Sequence, residues 1–534
     1  MTAAELAQRP RSADMSSDSS GGSRHSTLLD SSGQVSSTSA RDDRQQRPER
    51  KQPTRGDLEK GHDNHQADAE EVRDEDGVKV EEGGIPLVRL TPGGNDPYSQ
   101  VSTEHETVQK VADCMVALSY PGTREEFGLS EEVVTLGLSL FIFGLGSFPL
   151  LVGPMSEFYG RRPIYNLSFF FFICFNILVA FSPNPSAYFL GRFLSGASGA
   201  AFLSVAGGSV SDVFPPNEVA TPMAVYTSST LVGPALGPLL SGFINQHLNW
   251  RWTWYILTMW AAVEAVLLFG LVPETFLPAR LKQKAKKLRK RGRTDVKAPI
   301  EVDDRSIPKV VAMSCVRPFQ ILVAEPMALA LCTWTALLLG ILYAFFSGFN
   351  FVYTEYGFEP QFVGMSFIGI GLGVIIGTLM TPFWNRFYRK VEQETGHRPG
   401  PEEHLRKGMA AAVIIPASLF WFAWTTLPSV HWIVSEIASV FFGIGSIWAF
   451  QATFTYLVDA FRPVAASAMS ANSVMRSTFG GVFPLFTSQM FRGLGNQWAI
   501  TLCAFLCLAM TPWPFLFYFY GARFRKNSRF ANTD

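Results

Sequence analysis

Gly153-Pro154-Met155-Ser156-Glu157-Phe158-Tyr159-Gly160-Arg161-Arg162 stands between two long apolar runs. The stretch is short and charged, and its two glycines permit a tight reversal and close approach of helices. Arg161 and Arg162 sit where the chain leaves an apolar run, which marks the cytoplasmic side of a membrane. It reads as a hinge loop at a membrane face.

Working outward, apolar runs of about 20 residues recur, the length that crosses a bilayer as a helix. They fall near Glu132–Val152, Pro163–Phe181, Ala187–Phe214, Val219–Ile244, Trp252–Val272, Met327–Val352, Phe362–Trp384, Met409–Leu427, Trp432–Val458, Pro463–Met490 and Gln497–Tyr520. These eleven predict an all-α polytopic membrane protein. Before them comes only Val111–Tyr120. Ten helical residues reach about 15 Å, half of a roughly 30 Å hydrocarbon core, so the first span is expected to be truncated.

The 534 residues are 47% hydrophobic and hold 45 basic and 45 acidic side chains. The zero net charge gives no argument for a nucleic-acid partner; it hides a polar start and an apolar remainder. The serine run from Ser16 to Ser39 and the mixed charges from Arg41 to Glu82 cannot bury enough apolar surface to offset ordering entropy. Residues 1–105 are therefore expected to be disordered, as a solvated or a regulatory tail. No apolar segment follows the start, so no signal peptide is expected. The expected domains are a tail (1–105), a transmembrane half with an incomplete first span (106–272), a basic loop (273–325), a second half (326–520) and a C-terminal tail (521–534).

Basic residues set the orientation. Arg161 and Arg162, the cluster from Arg280 to Arg293, the group from Arg386 to Lys407, and Arg523 to Arg529 all fall on one side if the eleven spans alternate. Ser182–Ser186 and Gly357–Gln361 carry no Lys or Arg. The central loop and the C-terminus are predicted to be cytoplasmic. The basic loop reads as a topology determinant, with anionic lipid binding as the other reading.

The halves echo each other. Asp212-Val213-Phe214-Pro215-Pro216 leads into a run with Gly233-Pro234 and Pro238-Leu239; Asp459-Ala460-Phe461-Arg462-Pro463 leads into one with Gly480-Gly481 and Pro484-Leu485. Pro154 to Arg162 has a degenerate echo at Pro382 to Lys390. Parallel halves around a cytoplasmic loop suit a transporter whose bundles rock about a site between them.

These motifs together resemble the major facilitator superfamily, and within it the fungal twelve-span drug:proton antiporters. GPMSEFYGRRP resembles the family's first signature, Gly191 to Ala201 (GRFLSGASGAA) that of the fourth span, and Leu231 to Gly242 (LVGPALGPLLSG) the antiporter signature of the fifth. Val272 to Phe276 (VPETF) and Asn472 to Phe486 look like landmarks of the fungal subfamily. The resemblance implies two six-helix halves and a gating role for Gly153, Glu157, Gly160, Arg161 and Arg162. It gives Gly233, Pro234, Gly237 and Pro238 a conformational role, which fits prolines that kink a helix and glycines that let it pack closely. Arg192 matches an arginine implicated in proton coupling. Arg476 matches a subfamily position to which the resemblance assigns no role; contact with an anionic substrate and pairing with a carbonyl are its two readings. A membrane-buried arginine costs at least about 2.5–3.5 kcal/mol, so both are expected to face a cavity or a partner.

Proton coupling needs a carboxylate whose affinity for a proton burial can move. Glu264 is the acid of the run AAVEAVLLFG and is the first candidate, with a structural hydrogen-bonded acid as the other reading. Glu436 lies toward the outer end of its span, and Asp212 and Asp459 lie at cytoplasmic ends. Phe345, Phe349, Trp448 and Phe454, with Phe346 and Phe450 and near Arg476, are candidates for an aromatic cavity wall. The other reading of such stripes is core or lipid packing.

Two departures from the family pattern stand out. Val219 occupies the place of an arginine usual after Asp212, and Glu157 replaces an aspartate, which puts the usual charge network in doubt. The short first run suggests a truncated or mis-spliced gene model. Six cysteines are present; Cys503 and Cys507 share a helix face and read as packing residues rather than a metal or redox pair. Metal clusters, nucleophile motifs and Walker loops are absent from the sequence, so neither an enzyme nor a cofactor is expected. The expected function is proton-coupled efflux of a small hydrophobic drug, fungicide or toxin by a monomer in a fungal plasma membrane. A polyamine exporter, or a non-transporting sensor or inactive truncated transporter, is the alternative.

Overall fold

The computed structural model describes residue 111 and residues 114–213, 220–271, 274–291, 297, 298, 301, 307–396, 399–427, 429–526, 528 and 530. The tail expected over residues 1–105, and Val219, lie outside the described residues. Within them the regular elements are helical. They run α1 (Tyr120–Phe127), α2 (Glu131–Ser147), α3 (Pro149–Tyr159), α4 (Arg161–Ala180), α5 (Pro185–Val213), α6 (Ala220–His247), α7 (Arg251–Leu271), α8 (Leu277–Lys290) and α9 (Ile307–Ala324). Then come α10 (Pro326–Glu355), α11 (Pro360–Met365), α12 (Phe367–Leu379), α13 (Thr381–Thr395), α14 (Leu405–Thr425), α15 (Trp432–Ala460), α16 (Ala465–Met510) and α17 (Pro512–Lys526).

The first segment is longer than the sequence reading allowed. A 3₁₀ stretch, Met115–Ser119, leads directly into α1, so the helical path continues through charged residues to Phe127. From Cys114 to Phe127 it covers about 24 Å, because a 3₁₀ turn rises about 2.0 Å per residue against 1.5 Å for an α-helix. The polar residues of α1 are partnered. Thr123 donates to the Ser119 carbonyl (3.0 Å), and Glu126 accepts from Trp250 Nε1 (2.8 Å) and pairs with Arg251. Gly128 (φ 63°) then turns the chain by 117° into α2. Ser130 caps α2 by accepting from the Val133 N–H, and Glu131 and Glu132 fill the first turn, where the helix dipole favours acids.

Among the described residues, eight helices or helix series have the length and composition to cross a membrane, nine if the bent pair α1–α2 is one span. One of the eight, Ala465–Lys526, has 62 residues, and Gly495 (φ 77°) breaks it into two arms. Taking those arms as two crossings, and adding α6, which serine, threonine, glycine and proline dilute, recovers the eleven runs of the sequence. The run from Pro360 continues into α13, which holds Pro382 to Lys390 and ends at Gly396 (φ 68°), as α3 holds Pro154 and ends at Gly160 (φ 98°). Both are glycines because left-handed backbone disfavours a Cβ.

The buried apolar residues form two clusters. One gathers Val111, Met115, Val116, Phe141, Tyr165, Phe202, Trp254 and Leu268, among others, from the first six spans. The other is drawn mainly from α10 to α17 and reaches across to Leu138, Ile142 and Leu231. Close contact between the two sets of helices is made by small residues. A Cβ on Gly146 of α2 would strike Ser477 of α16. A Cβ on Gly364 of α11 would lie 2.5 Å from the Pro238 carbonyl of α6, and one on Gly242 would lie 2.7 Å from the Pro360 carbonyl.

Candidate functional site

The hinge stretch is the centre of an ion-pair cluster. Pro154 lies within α3, and Gly160 ends that helix so that α4 begins at Arg161. The first backbone N–H groups of α4 have no helical partner, and Glu274 supplies one. Its carboxylate accepts from the N–H of Arg161 (2.8 Å), Arg162 (3.1 Å) and Phe276 (3.0 Å). Gly160 makes room for it, since a Cβ there would be 2.5 Å from Glu274 Oε2. The Arg161 side chain turns inward to Asp212 at the end of α5 (3.1 Å) and Ser156 Oγ (2.6 Å), with its guanidinium 4.9 Å from the Phe276 ring centre. Arg162 donates to the Phe269 carbonyl (3.0 Å). Glu157 is exposed, and Gly153 has only Ser204 Cβ near its open side, at 4.0 Å.

The second half repeats this arrangement with other residues. Asp459, at the end of α15, lies 3.6 Å from His404 at the start of α14 and pairs with Arg462 (2.6 Å). Glu402 pairs with Arg525 of the closing helix α17 (2.8 Å). The Asp212–Arg161 and Asp459–His404 contacts are therefore equivalents. In the basic loop, the Arg289 guanidinium hydrogen-bonds to Glu301 (2.7 and 2.9 Å) and holds its carboxyl below the usual carboxylate range.

At the other end of the helices the contacts run between the halves. Glu131 accepts from Ser488 (2.8 Å) and pairs with Arg492, and Gln246 donates to Glu359 (3.3 Å). Arg492→Glu is expected to raise thiol-reagent labelling of a cysteine placed at Ser488 severalfold. An exposed pair of this kind stabilises by up to about 1 kcal/mol, roughly a fivefold change in population.

Gly233, Pro234, Gly237 and Pro238 are all buried in α6. A Cβ on Gly237 would lie 2.7 Å from Cys114 Cβ, so this glycine admits the first segment, and Ser241 donates to the Met115 carbonyl one turn on. Arg192 is fully buried. Its Nε donates to the Gly137 carbonyl (3.1 Å), and its guanidinium lies over the rings of Phe141 (4.5 Å) and Trp254 (4.9 Å). Glu264 is 6% exposed on the same helix as Trp254. Ten residues separate the two, about 15 Å of helix, so Arg192 and Glu264 sit at different depths.

Phe345 packs tilted against Phe349 (5.3 Å between centres) and against Phe422 of α14, on which Phe349 stacks, inside the second cluster. Trp448 donates to the Gly377 carbonyl (3.0 Å) and packs on Trp384, also within the second half. Phe454 is half-buried and lies with Phe450 against the Arg476 guanidinium (4.8 and 5.6 Å). Arg476 also donates to Ser473 Oγ (3.4 Å). So Phe454 and Arg476 come together, Arg476 being the residue before Ser477 at the contact with α2, while Phe345, Phe349 and Trp448 lie deeper in the second half.

A family model described as Major Facilitator Superfamily matches residues 112–485. The chain belongs to the major facilitator superfamily. It is a multi-pass membrane transporter rather than an enzyme. Among curated relatives it is 47% identical over 397 residues to "Efflux pump atB" of Aspergillus terreus, covering 73% of this chain and 83% of that one. It is 39% identical over 416 residues to "Probable drug/proton antiporter YHK8" of Saccharomyces cerevisiae, covering 77% and 80%. The xylose transporter XylE from E. coli shares the fold, with TM-score 0.56 at 13% identity over 79% of this chain and 98% of that one.

Two features of this superfamily member escaped sequence reading. Glu274 stood in a recognised landmark without a role; its contact with Arg161 spans 113 residues of chain. Glu436 was only a secondary acid. It is buried, and its carboxyl accepts from the Tyr353 hydroxyl of α10, 83 residues away. A tyrosine near the end of one apolar run and an acid near the start of another was the available signal.

Proposed function

We propose that this transporter exports small, largely hydrophobic compounds across a fungal plasma membrane in exchange for protons. The observation that carries the reading is the asymmetry of its polar contacts. On the basic face the ion pairs of Arg161 with Asp212, Asp459 with Arg462 and Glu402 with Arg525 each stay within one half. On the Glu131 face the Glu126–Arg251 pair lies within the first half, and the contacts of Glu131 and Gln246 join the halves. A molecule fastened across one face, with each half held rigid at the other, suits alternating access. The relatives named as an efflux pump and a drug/proton antiporter support export and proton coupling.

In this reading the basic face, the central loop and the C-terminus are cytoplasmic. Gly153, Glu157, Gly160, Arg161, Arg162, Gly233, Pro234, Gly237 and Pro238 shape the moving elements, and Phe454 with Arg476 offers an aromatic and cationic surface to substrate. Arg192 and Glu264 act on coupling from the first half.

The test is efflux from deletion and overexpression strains across a panel of toxins and polyamines, with and without a protonophore. Overexpression is expected to lower accumulation of hydrophobic toxins, and the protonophore to abolish the difference. Efflux restricted to polyamines would replace the substrate class, and protonophore-insensitive efflux would remove proton coupling. Glu264→Gln is expected to flatten the dependence of transport on pH; an unchanged profile removes Glu264 from coupling.

A further inference from the structure

Glu436 sits where three helices of the second half meet. It lies on α15 and is 9% exposed. Oε1 accepts from the hydroxyl of Tyr353 on α10. Oε2 lies against Gly369 of α12, where an added Cβ would be 2.5 Å away. Ser439, one turn along α15, is the third polar neighbour, with Oγ 3.4 Å from Oε2. Phe349 meets the Tyr353 ring edge-on and packs tilted against Phe367, and Phe358 stacks on the Tyr353 ring. Tyr353 is the titratable side chain that faces the carboxyl directly, and α12 presents a glycine there.

The hydrogens of this group can be counted. A serine hydroxyl has one proton to donate. Ser439 spends it on the Glu436 carbonyl, at 2.8 Å. The same hydrogen reaches Oε2 only weakly, since Ser439 Oγ lies 3.4 Å from it. Tyr353 donates to Oε1. An ionised carboxylate here would hold one full hydrogen bond, at Oε1, in apolar surroundings, an expensive arrangement, whereas the neutral acid keeps that bond and carries no charge.

We infer that Glu436, hydrogen-bonded to Tyr353 and Ser439, is a proton-binding site of the second half, occupied in the conformation closed at the Glu131 face. This rests on the proton-coupled reading above and assigns it a residue. The three helices that meet at the carboxyl include α12, which follows α11, whose Gly364 contacts α6 across the halves. Loss of the proton leaves a buried anion, and moving α12 away from α15 admits water to it. Proton release is thereby tied to opening of that contact. The step is a simple dissociation: the O–H bond at Oε2 breaks, the electron pair stays on the carboxylate, and the proton leaves to water.

The experiment is infrared difference spectroscopy of the purified full-length protein in lipid nanodiscs, titrated with pH alone. Wild type is expected to show a carboxylic-acid C=O band that disappears as pH rises, is absent in Glu436→Gln and is shifted in Tyr353→Phe. A band that persists unchanged in Glu436→Gln, or no titrating band in wild type, overturns the assignment. Folding of the variant is checked by thermal melting and monodisperse elution in the same nanodiscs, neither of which depends on transport. Glutamine can keep both hydrogen bonds of the neutral acid, so its melting temperature is expected to match that of wild type at low pH. Above the carboxyl's midpoint the wild-type proton-driven rate is expected to fall about tenfold per pH unit, and that of Glu436→Gln to stay flat. Because the band reports protonation and not transport, the site and the coupled-export reading can fail separately.

Discussion

Gly146→Ala is expected to remove about four-fifths of transport or more while leaving the protein folded. The added methyl would occupy the space of Ser477 Cβ and Oγ on α16. Ser477 Cβ is fixed to the backbone, so rotation of a side chain cannot make room, and α2 and α16 must part. Forcing a methyl into a packed contact costs typically about 1–3 kcal/mol, roughly a fivefold to hundredfold loss of the closed population. Each half keeps its own apolar cluster, so the cost falls on the contact between them. Ser477→Gly removes the obstructing atoms and is expected to restore most of the activity of Gly146→Ala. Toxin efflux in cells, with disulfide cross-linking between cysteines placed at Glu131 and Arg492 as the readout of closure, checks both. Full activity of Gly146→Ala would mean that this contact never forms during the cycle.

Glu274→Ala is expected to lower thermal stability and transport together. Its carboxylate accepts three backbone N–H bonds and is 8% exposed. Charge-assisted bonds of this kind contribute about 1.5–3 kcal/mol each but do not add independently, so a total loss of roughly 3 kcal/mol is reasonable. The start of α4 is left with unpaired donors beside Gly160, and Arg161 loses the support that aims it at Asp212. Glu274→Gln retains an acceptor and is expected to recover about half of the loss. Melting of the detergent-solubilised protein measures the first effect and efflux the second. A Glu274→Ala protein as stable as wild type would show that solvent caps this helix equally well.

The lengths and order of the spans were legible because twenty-residue apolar runs report directly on the bilayer. The extension of the first segment was not, since Glu126 reads as a loop residue until Trp250 and Arg251 are seen beside it. The end of α13 at Gly396 was not legible either, since the segment from Pro382 to Lys390 was read only for its likeness to Pro154 to Arg162. The site was legible only in its signature residues. Glu274 and the Tyr353–Glu436 pair join residues far apart in the chain, and neither composition nor spacing says which of the polar residues at the run ends meet.

The opposite polarity of the two closing contacts has a consequence for biogenesis. In the first half the segment after the last span brings an acid, Glu274, to the start of α4. In the second half the last span brings a base, Arg525, to an acid, Glu402, just before α14. Two similar bundles made one after the other in the same membrane risk exchanging their final helices. Here an exchanged α17 would press Arg525 toward Arg161 and the positive end of α4, while Glu274 would meet Glu402. The sign reversal makes the two closing contacts non-interchangeable.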